Sequence, residues 1–135
     1  MLYLDTSAFL KLVVEEAHSR ALRRYTSDAD LWASTLLAVE AHRAALRLGI
    51  PAELIDQQLE AVTLVVPSET TFESARSIGS PRLRSLDAVH LAAALELGDG
   101  LEAVVTYDGR LAEATDDAGI LVVAPGLADR WWQIP

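Results

Sequence analysis

Apolar residues along the chain fall into short runs separated by longer stretches of helical period. The runs "LYL" (2–4), "LWAS" (31–34), "TLVV" (63–66), "AVVTY" (103–107) and "ILVV" (120–123) have the length and β-branched content of strands. The stretches between them carry helix punctuation. Pro51 opens "PAELIDQQLEAV", Ser68 caps "ETTFESARSIG", and Gly49, Gly79, Gly98 and Gly119 stand where helices stop. The pattern predicts about six or seven helices. Strands that alternate with helices form a parallel sheet covered on both faces. Ligands of such sheets bind beyond the carboxyl ends of the strands.

Four acids sit awkwardly in this pattern. Asp5 ends the first run, in "MLYLDTSAF", and Asp108 follows "AVVTY". Either one alone is explained as the N-cap of the helix it precedes, "SAFLKLVVEE" or "GRLAEATDDAG". Glu40, in "STLLAVEAHRAALRLG", shares helical spacing with Leu36, Leu37 and Ala44, so it is expected on the stripe that faces the sheet. Asp87, in "SLDAVHLAAALEL", has Leu91, Ala94 and Leu95 along the same stripe. A carboxylate buried without a partner is costly, and the ordinary alternative for each is an edge position that reaches water.

Taken together, two strand-end acids and two acids on core-facing stripes are expected to converge on one pocket. Four carboxylates there would repel one another by about 3 kcal/mol per pair at ~5 Å in an effective dielectric near 20. They must take up protons or bind cations. Oxygen donors without cysteine and without paired histidines favour Mg²⁺, or Mn²⁺, over zinc. The matching chemistry is metal-assisted hydrolysis of a phosphate ester.

Composition narrows the classes. The chain has 135 residues, about the size of one domain, with no repeat and no Gly-, Ser- or Pro-rich linker, so residues 1–135 are expected to form a single domain. Its 51% hydrophobic content argues against disorder, and the lack of cysteine removes disulfides and thiolate metal sites. The short apolar runs contain no membrane span or signal peptide, so a cytoplasmic location is expected. A net charge of −9 opposes nonspecific adhesion to nucleic acid, but a cation held by clustered acids reverses the local field. All but one of the 11 Lys and Arg residues are arginines, the type suited to bidentate phosphate contacts.

The order "LDTSAF", a glutamate in the second helical region, "LDAVHLAAA", "VVTYDGRL" and "AGILVV" resembles the PIN-domain ribonucleases, in particular the small VapC-type toxins of toxin–antitoxin pairs. The resemblance covers essentially the whole chain. It implies a three-layer α/β/α sandwich around a five-stranded parallel sheet, and Mg²⁺-dependent endonucleolytic cleavage of RNA. By its motifs Asp5 and Asp87 are the principal metal ligands, Glu40 and Asp108 complete the cage, and Ser7 and Thr106 support it by hydrogen bonds. It also implies a cognate VapB-like antitoxin and self-association into a homodimer.

Arg82, Arg84 and Arg110 flank these acids in sequence and are candidates to hold RNA phosphates, with solvated surface arginines as the plainer explanation. His90, one helical turn after Asp87, is read as a packing residue; His18 and His42 have no assigned acid partner. Asp116 and Asp117 are expected to face water, and Trp131 and Trp132 to pack the tail onto the body. Two rival enzyme and signalling classes lack a required residue. A haloacid-dehalogenase-type phosphatase needs a second Asp where Ser7 stands, and a receiver domain needs a lysine after its last strand, whereas Lys11 is the only lysine. The alternative of another class is a PIN-like module that binds RNA or protein without cutting.

Overall fold

The structure, a computed structural model, describes residues 1–135. Five strands, β1 (Leu2–Leu4), β2 (Leu31–Ser34), β3 (Thr63–Val65), β4 (Ala103–Val105) and β5 (Val122–Val123), form one sheet in the order β3-β2-β1-β4-β5. Every pairing is parallel. The central β1 has β2 on one side and β4 on the other, so the chain reverses its direction of winding between β1 and β4. That switch point opens a crevice at the carboxyl ends of these two strands.

Helices α1 (Thr6–Val13), α2 (Ser19–Thr26), α3 (Thr35–Leu48) and α4 (Ala52–Leu59) supply the cover of one face. The core there joins Leu2, Leu4, Ala33 and Val105 from the sheet to Phe9, Leu22, Leu37, Ala41 and Ile55 from the helices. On the other face Tyr3 and Val104 meet Ala93 and Ala94 of α6 (Ser85–Leu95), and Leu91 packs with Leu111 and Ala114 of α7 (Gly109–Asp117). The remaining helix, α5 (Glu69–Ala75), is tied to α6 by a hydrogen bond from the Thr71 hydroxyl to Glu96 (2.9 Å). The expected α/β/α sandwich with a five-stranded parallel sheet is therefore the observed architecture.

Several boundaries differ from the expectation, β3 and β5 being shorter than their apolar runs. The strand read as "AVVTY" ends at Val105: the Thr106 amide still donates to Val123, but the Thr106 hydroxyl and the Tyr107 amide turn to Asp5 and Ser7 beyond β1. The helix after Ser68 stops at Ala75; beyond it Gly79, at φ +73°, turns the chain into the loop that carries Arg82 and Arg84. Helix α4 ends at Leu59, and Pro51 is its cap, not its first residue.

Phe9 is fully buried between α1 and the sheet. Phe9→Ala should lower unfolding free energy by about 3–5 kcal/mol through lost burial and the remaining cavity. Urea denaturation followed by circular dichroism measures it, as a lower midpoint at unchanged slope.

Candidate active site

Asp5 is the buried member of the group, 3% exposed at the end of β1. Its Oδ1 accepts hydrogen bonds from the Ala8 amide (3.0 Å) and the Ser7 hydroxyl (2.7 Å), and its Oδ2 accepts one from the Thr106 hydroxyl (2.6 Å). The Asp5 side chain thus caps α1, as an isolated aspartate would, and also occupies the crevice. Burial pushes its carboxyl above the ordinary range, with the bonds from Thr106, Ala8 and Ser7 opposing that rise. Thr106 and Ser7 also lock β4 to β1 on this edge: Thr106 Oγ1 accepts from the Asp108 amide (3.0 Å) and Ser7 Oγ from the Tyr107 amide (2.9 Å).

Glu40 lies on α3 but not on its buried stripe, which is Leu37, Ala41, Ala44 and Ala45. It flanks that stripe, half-buried, and leans over the carboxyl edge of the sheet toward α6. The Thr6 hydroxyl donates to Glu40 Oε1 at 2.7 Å, and His90 Nε2 approaches the same oxygen at 2.5 Å. A carboxylate only accepts, so Nε2 is the donor to Glu40, while Nδ1 is paired with the Tyr3 hydroxyl at 2.9 Å. Burial raises the Glu40 carboxyl, but the bond and charge of His90, with Thr6 and Arg84, outweigh it and the net shift is downward. Glu40 is held ionised by a side chain that sequence reasoning assigned to packing. His90 is indeed buried, 1% exposed, and it is a polar brace as well as a packing residue. The available signal was its place one turn from Asp87 on a helix otherwise apolar from Ala88 to Ala94.

Asp87 and Asp108 stand at the starts of α6 and α7. Asp87 is half-buried, at the end of the buried run and not inside it. Asp108 caps α7, with Oδ1 accepting from the amides of Arg110 (2.9 Å) and Leu111 (3.1 Å). Arg84 spans the two: Nε donates to Asp87 Oδ2 at 3.3 Å and Nη2 to Asp108 Oδ2 at 2.8 Å. Burial and the Asp108 charge raise the Asp87 carboxyl, against Arg84 and His90, and the two aspartates in turn raise the Arg84 guanidinium.

The four acids thus gather at one end of the sheet, linked through Thr6, Thr106, His90 and Arg84. Glu40 and Asp87 each use one carboxylate oxygen for positioning and leave the other without a protein donor, while Asp5 and Asp108 accept bonds on both. As the side chains stand, no three of these groups are close enough to ligate one ion directly. An all-oxygen donor set with spare lone pairs fits a hard divalent ion that keeps several waters, as Mg²⁺ does.

The other candidates are scattered around this centre. Arg82 reaches Glu113 (3.6 Å), and Arg110 makes no ion pair. Asp116 is held by Arg130 of the tail (3.0 Å), and Asp117 faces water. His18 stacks on Tyr107, and His42 does have an acid partner, Asp56 of α4, at 2.8 Å. The tail turn Trp131–Gln133 lies against Gly109 at the start of α7.

Comparison with known proteins agrees with this fold. A family profile described as "PIN domain" matches residues 2–117. Ribonuclease VapC35 of Mycobacterium tuberculosis is 41% identical over 140 aligned positions, covering 95% of this chain and 99% of the relative. Ribonuclease VapC47 of the same species is 37% identical, covering 93% and 98%. Among solved structures, the M. tuberculosis toxin VapC20, described as cleaving the sarcin-ricin loop, superposes with a TM-score of 0.73 at 16% identity, over 93% of this chain and all of that one. With its parallel sheet, its crevice of acids and these relatives, the chain belongs to the PIN-domain family, among the VapC ribonucleases.

Proposed function

We propose that this chain is the toxin of a toxin–antitoxin pair and acts as a divalent-metal-dependent endoribonuclease, with Asp5, Glu40, Asp87 and Asp108 as its catalytic acids. The observation that carries the reading is the buried Asp5 carboxylate at the β1/β4 switch point, with three more acids gathered around it. A purely structural cap has no need of burial, and a binding module has no need of four acids in a crevice that repels phosphate.

Asp5 and Asp87 are the principal ligands and Glu40 and Asp108 complete the shell, directly or through water; Mg²⁺ fits the donor set best, and Mn²⁺ is acceptable. When bound, such an ion supplies a nucleophilic water at neutral pH and neutralises charge on the scissile phosphate. The chain's own part is orientation. Ser7 and Thr106 fix the Asp5 carboxylate, while Thr6 and His90 fix Glu40 so that its free oxygen faces the crevice. Arg84 is the cation nearest both Asp87 and Asp108 and can transfer its charge to an RNA phosphate.

A cognate VapB-like antitoxin is the expected protein partner, and the charge of −9 favours a cationic one. Self-association into a homodimer is supported by an apolar hollow at the α3, α5 and α6 surface, where Val39, Val66, Phe72 and Leu86 are at least half exposed. Its place of action is the cytoplasm, with its RNA; no helix is long and apolar enough to cross a membrane.

Cleavage of total cellular RNA in Mg²⁺ or Mn²⁺ is the direct test. Activity should disappear in EDTA and fall at least about 100-fold in Asp5→Asn and in Asp87→Asn, because a neutral amide is a poor ligand for a hard cation. The double variant should be barely worse than either single. Cutting that persists in EDTA, or in Asp5→Asn at near the native rate, sinks the mechanism.

Calorimetry separates ligation from folding. The raised Asp5 pKa means that its ionised form is disfavoured in the folded state relative to the unfolded chain. Between the ordinary and the raised value the native state binds more protons, so unliganded protein gains stability as pH falls through that window. Asp5→Asn should accordingly melt no lower than the unsubstituted protein without metal, yet lose most of the metal-induced rise in melting temperature. Equal metal-linked shifts in both would remove Asp5 from the site. For the dimer, light scattering should give twice the chain mass at micromolar concentration, and Phe72→Asp should reduce it to one chain.

A further inference from the structure

Beside Asp108 the surface forms a polar hollow of about 440 Å³, bounded by Arg82, Arg84, Asp108, Arg110, Glu113 and Trp132. Its volume is within the range of small-ligand sites, and it shares Arg84 and Asp108 with the catalytic crevice. Three arginines meet there in a protein that is otherwise strongly acidic. Arg84 is occupied by Asp87 and Asp108, and Arg82 leans on Glu113, so Arg110 is the cation with its guanidinium free.

Part of the hollow's wall is aromatic. Trp132 is half-buried and fixed in place from two directions: Trp131 meets it edge-on, with ring centroids 6.0 Å apart, and the Arg130 guanidinium lies over its ring at 5.5 Å. Arg130 is itself anchored to Asp116 of α7. A tail that served only to cover α7 would not need an indole presented to a cationic hollow. A second, adjoining hollow shares Arg82, Glu113 and Trp132 but adds Asp116 and Asp117. Those carboxylates repel phosphate, so a nucleic-acid strand that leaves the acids is steered along the Arg110 side.

We infer that this hollow is a nucleotide subsite for single-stranded RNA, with the base next to the scissile phosphate stacked on Trp132 and its backbone phosphate on Arg110. The inference rests on the ribonuclease reading and adds to it the residues that grip the substrate. Stacking on an indole accepts any base, so Trp132 supplies affinity and register and not base choice.

The test measures binding apart from cleavage. The full chain carrying Asp5→Asn is titrated with a fluorescent single-stranded RNA of about eight nucleotides, a length one such groove can hold. Adding Trp132→Leu, which keeps apolar bulk against α7 but removes the π-face, should weaken binding about 10-fold, whereas Trp132→Phe should stay within about 3-fold. An RNA with one abasic position, scanned along the strand, should bind less tightly at one position when Trp132 is present and show no such penalty with Trp132→Leu. Arg110→Ala should weaken all sequences alike and lower the salt-dependence slope by about one. Equal affinity of the Trp132 and Trp132→Leu proteins, or an abasic penalty that is the same in both, overturns the subsite. Neither result touches the cleavage reading, which stands or falls on whether Asp5→Asn protein without these changes still cuts RNA.

Discussion

The hydrogen bond from the Thr106 hydroxyl to the Asp5 carboxylate, 2.6 Å across the β1/β4 boundary, is the contact on which the site depends. It joins the ends of two strands 101 residues apart in sequence and opposes, without cancelling, the rise that burial imposes on the Asp5 carboxyl. Without it Asp5 would lose one of three donors, and an under-bonded buried carboxylate takes up a proton or turns toward water. The same hydroxyl receives the Asp108 amide, so one threonine sets both strand-end acids. Parallel pairing of β1 with β4 supplies the registration that makes this geometry possible.

Around that contact the acids are kept apart by what stands between them. Arg84 spans Asp87 and Asp108, and His90 with Thr6 braces Glu40. These groups have unequal reach. His90 is buried and fixed between Tyr3 and Glu40, whereas the Arg84 side chain is 62% exposed and its ion pairs are screened by water, so they contribute little to folding. The rigid half of the site therefore lies on the α3 and α6 side, and the adjustable half beside the loop that follows Gly79.

Much of this was legible in the chain. The five strands follow from their apolar runs, and the acids at 5 and 108 are visible because a charged residue cannot continue a buried parallel strand. Glu40 and Asp87 were visible as charges beside apolar stripes, but helical period cannot distinguish the middle of a stripe from its flank, and both proved to lie on the flank. The brace of Glu40 was not legible. It joins residues 3, 6, 40 and 90, and no local pattern reports that a histidine on one layer faces a glutamate on another. The pairing of His42 with Asp56 was missed for the same reason, since it crosses from α3 to α4. The shorter α5 reflects tertiary demand: the chain must leave the helix to bring Arg84 over the acids.

The wide sequence separation of β1 and β4 also governs when the site comes into being. Nothing before Ala103 can pair with the second edge of β1, so a growing chain holds Asp5 and Glu40 long before it holds Thr106 or Asp108. Closing a contact of that span is among the slow events of folding, because the entropy of the loop must be overcome before the contact rewards it. An incomplete chain on the ribosome therefore has Asp5 and Glu40 but not the registration that aims them. For a protein that cuts RNA, the order of assembly is itself a safeguard: the site cannot be completed before β4 and the residues that follow it have been made.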